Sequence, residues 1–402
     1  MILSILLILL LNLSPIILEE NDTVSIVSIS DVEYYDDHKL VIVDRDGRQL
    51  LFYNDSGKLL FSEKPSYKLS ELVVHYYKKN FSEDSLWITG KPVEVISFID
   101  YKLLMNNDIE PTEFYKNINN EFGSVEKYDD ENLLVATHVY FVGLEFLENK
   151  RIKKYYINQT VVFKYNIKEK LFKLFYINTD GLKSKYYNEN FSFRHFNLLL
   201  DDNKNIIIHN HNELLTLDTI NKRPPILLSK IIEGNNKTNY LELSNYYTKS
   251  GFNYTATDFR GEMRGNNLYS KYFLLPYIYK NDRIAFQLKP NDLFSLNPIM
   301  LEKQSKINLD LINKFEYTFS DISLNENFIF VLIKTNSTFT KESLKNKSII
   351  QKYDFDGNLL GQIIYNTKEI SIYKIKTQRD NLNSINIFYL EGENILMQEI
   401  EI

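Results

Sequence analysis

Few residues in this chain are spaced for chemistry, and those nearest to a metal set are histidines. His209 and His211 stand two apart, so on a strand both imidazoles would point to one face, and His195 lies one strand earlier. Three imidazoles suit zinc or copper. The same spacing also fits solvated histidines at a strand end, and no acidic residue is fixed beside them.

A second candidate is Thr257 to Gly265, the most charged and glycine-punctuated stretch between strands. In it Arg260, Glu262 and Arg264 could meet an anionic ligand, with Arg supplying the planar fork. The alternative is an exposed loop whose charges pair internally. Asp44-Arg45-Asp46-Gly47 and Asp354-Phe355-Asp356-Gly357 lack the further ligands and distant glutamate of a calcium loop, and read as turns. Ser371-Ile372-Tyr373-Lys374 has the Ser-x-x-Lys form without the partner motifs of penicillin-recognising enzymes. Neither a nucleophile elbow, a phosphate loop nor His-Glu-x-x-His occurs. No cofactor is implied, and the chain reads as non-enzymatic.

Composition narrows the field further. The absence of cysteine excludes disulfides, zinc-thiolate sites, thiol nucleophiles and acylation of an N-terminal Cys. The net charge of −6, with both signs interspersed, offers no basic stripe for a phosphate backbone, so nucleic acid is not an expected partner. The 29 Tyr and 26 Phe, set against 9 Pro and 13 Gly, favour pleated, half-buried surfaces.

The elements that must position any site are short apolar runs broken by Asp, Asn and Gly. Leu40 to Val43, Gln49 to Tyr53 and Leu59 to Phe61, separated by polar turns, predict a meander. Its second hairpin recurs: Tyr53 to Leu60 aligns without a gap with Tyr353 to Leu360, and more loosely with Tyr165 to Phe172, which lacks the Gly. Further strands are expected at 205–209, 213–218, 283–288, 328–334 and 385–390. Leu69, Leu72, Val73 and Tyr76 follow helical spacing after Ser66, although Val73 to Tyr77 would also suit a strand. Phe114, Ile118 and Phe122 do so after Pro111, with Gly123 as the stop, and Asn297 to Phe315 could hold a third helix.

At the start, Ile2 to Leu18 is almost uniformly apolar and leads into Glu19 and Glu20. As a helix it would span about 25 Å, less than the ~30 Å hydrocarbon core. Residues 1–20 therefore read as an export signal or a short N-terminal anchor, the only route to a membrane, and 21–402 as a single domain.

The aromatic-x-x-Asp-Gly-x-Leu-Leu hairpin, best carried by Lys39 to Phe61 and supported by Asn325 to Lys334 and Ile349 to Tyr365, resembles the six-bladed, NHL-like β-propellers of bacterial envelopes. That resemblance implies an all-β propeller of six blades, or alternatively seven, with short helical insertions. It also implies loops around a central channel that are open to ligands. The expected function is an exported, non-enzymatic module of the periplasm or cell envelope, binding or scaffolding a protein or glycan partner. The alternative is a metal-dependent propeller hydrolase or lactonase.

Overall fold

The computed structural model describes residues 14–21, 24–80, 87–88, 91–92, 94–105, 110, 120–147, 152–177, 198–209, 226–232, 236–242, 259–272, 275–281, 283–289, 317–335, 347–367, 370–378 and 383–402. The predicted strand at 213–218 and helix at 297–315 lie outside them.

The first sheet shows why these sequences make strands. Its strands Ile29–Asp36, Lys39–Asp44, Gln49–Asn54 and Leu59–Glu63 form an antiparallel meander. The run Leu40 to Val43 is apolar at every position because both faces are covered. Val41 and Val43 join Leu133, Val135 and Phe163 on one side, while Leu40 and Ile42 join Phe388 and Met397 on the other. Each such side chain contributes roughly 1.5–3 kcal/mol by leaving water.

Four-stranded sheets of this kind recur over 198–242, 259–287 and 317–366. Another joins Ser371–Lys376, Ser384–Glu391 and Asn394–Glu401 to Ile16–Ile17 from the opposite end of the chain. One sheet differs. Its strands Asn132–Phe146 and Ile152–Asn166 pair over 15 residues, and Glu121–Lys127 and Glu94–Ile96 lie end to end along one edge of the first of them. Leu171–Ile177 forms the other edge.

The first strands of successive sheets touch around a closed circuit. Ile29–Asp36 meets Glu121–Lys127, which meets Leu198–Leu200, then Phe259–Arg264, Tyr317–Leu324, Ser371–Lys376 and Ile29–Asp36 again. The arrangement is a β-propeller, all-β with two helices among the described residues. The expectation of six blades, or alternatively seven, is corrected to five four-stranded blades. The 15-residue hairpin outruns its seven-residue inner strand, and Glu94–Ile96 fills the edge left open, giving the enlarged five-stranded sheet.

The circuit is closed by the N-terminal strand. Ile16 and Ile17 pair with Met397 and Leu396, and Leu18 N–H donates to Ile395 O at 2.9 Å. Glu19 N–H donates to Gly57 O at 2.8 Å. Gly57 has φ +79°, and a Cβ there would stand 2.3 Å from Ile17 O, so both its backbone and its lack of a side chain are required. Its counterpart Gly357 has φ +85° and faces Phe286. In the glycine-less copy of the hairpin the left-handed residue moves one place on, to Lys170 at φ +53°.

The helix Tyr67–Asn80 confirms the spacing after Ser66 and buries Leu69, Val73, Val74 and Tyr77 against the enlarged sheet. The helix expected to end at Gly123 is corrected at its described end. Phe122 and Gly123 belong to the inner strand Glu121–Lys127, where Phe122 is fully buried. The helical spacing there coincides with a strand's need for large apolar residues, and tertiary packing decides. The helix Phe98–Met105 buries none of its residues and carries no periodicity from which to predict it.

Candidate functional site: the axial channel

Because the inner strands line the propeller axis, every second residue on each points into the channel. The pattern is charged or polar at two successive levels. The deeper level holds Asp31, Ser124, Arg260, Asp321 and Lys374, and the next holds Glu33, Glu126, Glu262, Ser323 and Lys376. The third sheet's Leu198-Leu199-Leu200 is the exception.

At the deeper level Lys374 Nζ lies 3.4 Å from Asp31 Oδ1 and 3.2 Å from Asp321 Oδ1, joining three blades through one ammonium. The carboxylates are satisfied on their other sides as well. Asp31 accepts from the Ser124 hydroxyl and from Val125 N–H at 3.1 Å, and Asp321 accepts from Ile375 N–H at 3.0 Å. Burial pushes Asp31 up, but Lys374, Lys376, the Ser124 hydroxyl and Arg260 outweigh it, so its pKa falls below the usual range.

At the next level Lys376 Nζ lies 2.8 Å from Glu33 Oε2 and 3.3 Å from Glu262 Oε1. Glu262 also accepts from Leu324 N–H at 2.6 Å and from the Ser323 hydroxyl at 3.2 Å. Burial alone would pull Lys376 down, but Glu262, Glu33, Glu126 and Asp31 together push it well above the ordinary lysine value. Burial raises Glu262 in spite of Lys376. Glu126 is raised furthest, first by burial and then by Glu33, with Asp31 and Glu262 adding to it and Lys376 opposing. Among the described residues no side-chain hydrogen bond holds its carboxyl.

Above this level opens a cavity of 640 Å³. Glu33, Glu126, Glu262 and Lys376 line its buried end, and the exposed residues Arg264, Glu326 and Asn327 its outer end. Asp202 adds another acid. The Arg264 guanidinium is stacked over the Phe355 ring, 3.8 Å from its centroid.

The charged candidates from the sequence therefore stand on a strand, Phe259–Arg264, rather than in a loop. Glu262 faces the channel and pairs with Lys376, while Arg264 lines the cavity's outer end. His209 ends the strand Ile206–His209, and His195 and His211 lie outside the described residues. Among the described residues no three His, Asp or Glu side chains converge as metal ligands.

Sequence reasoning missed Asp31, Glu33, Glu126, Asp321 and Lys376, and set Lys374 aside with its Ser-x-x-Lys match. A signal was present. Asp31-x-Glu33, Ser124-x-Glu126, Arg260-x-Glu262, Asp321-x-Ser323 and Lys374-x-Lys376 each place two polar residues on one face of a strand that begins a sheet.

No family model and no curated protein matches the chain. Among solved structures it is similar to a member of the DUF4221 family from Bacteroides vulgatus, at 9% identity and a TM-score of 0.55 over 97% of this chain and 96% of that one. It is also similar to a putative exported protein from Bacteroides fragilis, at 11% identity and a TM-score of 0.47, over 97% of this chain and 94% of that one. Virginiamycin B lyase from Staphylococcus aureus aligns at 8% identity and a TM-score of 0.40, covering 97% and 99%. At these identities the likeness is one of fold.

Proposed function

We propose that this chain is an exported, non-enzymatic propeller that binds a partner molecule at the axial cavity and the loops around it. One observation carries the reading: Lys374 and Lys376 already occupy the spaces between the channel's carboxylates. A hydrolase of the metal-dependent kind would place a cation there, held by carboxylates from several blades. Here each ammonium is fixed by two acids, which cross-links the blades. The cavity above remains a walled, polar recess of the size small ligands use.

Export rests on the apolar run at 2–13, and the envelope setting, with a protein or glycan partner, follows from the resemblance of the hairpins. In this reading the enlarged sheet takes the sixth position of a six-membered ring. The test is a paired assay on the full chain. Binding is followed by thermal shift against a glycan and peptide panel, and product release is followed on lactone, ester and glycoside substrates. Ligand-dependent stabilisation without turnover is expected. Turnover abolished by a chelator and restored by a divalent metal would overturn the proposal in favour of the hydrolase.

A further inference from the structure

We propose that the axial cavity is a site for a primary ammonium or guanidinium group, seated at its buried end against Glu126, with Glu33 and Glu262 beside it. This rests on the reading of the cavity as a ligand site and adds the class of ligand. Three carboxylates from three blades share one ammonium, and that ammonium is committed to two of them, at 2.8 and 3.3 Å. Glu126 is left over. It lines the cavity, makes no side-chain hydrogen bond among the described residues, and is half-buried.

Acids outnumber bases around the cavity, since Glu33, Glu126, Asp202, Glu262 and Glu326 line it against Lys376 and Arg264. A second cation entering here, with Glu126 ionised, sets two cations against the three carboxylates of the level. The cations nearest the opening do not compete strongly, because Arg264 is stacked on Phe355. At this end an anionic ligand would have to displace paired carboxylates, and a neutral one would take water from Glu126 without supplying a counter-charge.

Binding requires the ionised form of Glu126, so a proton leaves as the ligand enters. The charged groups acting on Glu126 most strongly are Glu33 and Asp31 of the first sheet, Glu262 of the fourth and Lys376 of the last, and the same cavity is also lined by Asp202 after the third sheet's inner strand, Arg264 of the fourth sheet and Glu326 of the fifth. Affinity therefore rises with pH.

Titration calorimetry on the full chain separates the sources of such a cation. Spermidine represents a free polyamine, and an end-blocked Lys-Ala-Lys peptide a basic side chain. Maltotriose, citrate and calcium chloride are the contrasts. Saturable binding of spermidine or the peptide is expected, with heats that depend on buffer ionisation. Glu126→Gln should weaken it about ten- to hundredfold, and Glu391→Gln, on an exposed hairpin, should leave it unchanged.

Binding of maltotriose or citrate but neither cation would overturn the ligand class while leaving the cavity a ligand site. Calcium binding lost in Glu126→Gln, with no amine bound, would replace it with a metal. No binding by any probe would remove both this inference and the reading it rests on. Should Glu126→Gln fail to fold, the pH dependence of the unmodified chain decides, with affinity flat between pH 5 and 8 refuting the role of Glu126.

Discussion

Replacing Lys376 with Met tests whether the channel lysines hold the blades together. Met retains most of the side chain's length and removes only the ammonium. Glu33 and Glu262, now at 2.8 and 3.3 Å from it, would face each other and Glu126 without a counter-charge. Lys376 is only 14% exposed, so water cannot take the ammonium's place freely. Breaking such a pair costs about 3–5 kcal/mol. At about 2.1 cal/mol/K per residue, 402 residues give an unfolding entropy near 0.8 kcal/mol/K, so the melting temperature should fall by about 4–6 °C. The deficit should shrink on acidification, because protonating the orphaned carboxylates removes the repulsion. Adding Glu262→Gln should recover part of it at neutral pH. Calorimetry of wild type, single and double variants at pH 5 and pH 8 is the assay. A fall below about 1 °C, or a deficit equal at both pH values, would refute the reasoning.

Two acids in the channel should respond oppositely to pH. Glu126 is raised in the folded chain, so its contribution favours folding below its unfolded value near 4.3 and is lost as pH rises through the folded value; Glu126→Gln should flatten that decline in urea midpoints. Asp31 is lowered, so its contribution is present above its unfolded value near 3.9 and lost as pH falls through the folded one; Asp31→Asn should remove that part of the acid transition while destabilising the chain at neutral pH. Gly57→Ala should cost more than Gly392→Ala, since both have positive φ, worth roughly 1–2 kcal/mol, but only Gly57 would collide with the closing strand. Chemical denaturation of the two variants measures the difference, and equal losses would count against the contact. A chain beginning at residue 21 should melt well below one beginning at residue 14, because it lacks Ile16–Leu18 and the acceptor Glu19 O, to which the Tyr53 hydroxyl donates at 3.1 Å.

The hairpins were readable because a turn needs local chemistry. Asn54 accepts from Lys58 N–H at 2.9 Å, Asp354 accepts from Asn358 N–H at 2.8 Å, and a glycine supplies the left-handed residue in each. The channel was harder to read, since it is assembled from residues hundreds of positions apart. Lys376 and Glu33 meet only after the ring closes, and no local pattern distinguishes a charged pair facing an axis from one facing water. Glu262 was singled out for being charged beside two arginines, yet its partners come from the fifth and last sheets. The helix Phe98–Met105 was missed for a third reason. Its apolar residues Phe98, Ile99, Leu103, Leu104 and Met105 fall on every side of the helix, so its sequence has no face.

Joining the first strand to the last sheet has a consequence for the order of assembly. Ile16 and its partner Met397 are separated by nearly 400 positions, so this pairing closes a very long contour. Until the final strand is in place, the ring stays an open arc whose two ends expose Phe388 and the apolar face of the first sheet. An arc of this kind can still be threaded or held by a chaperone, whereas the closed ring cannot. The pairing of Ile16–Ile17 with Asn394–Glu401 thus acts as the latch, and commitment to the final shape is deferred to that contact.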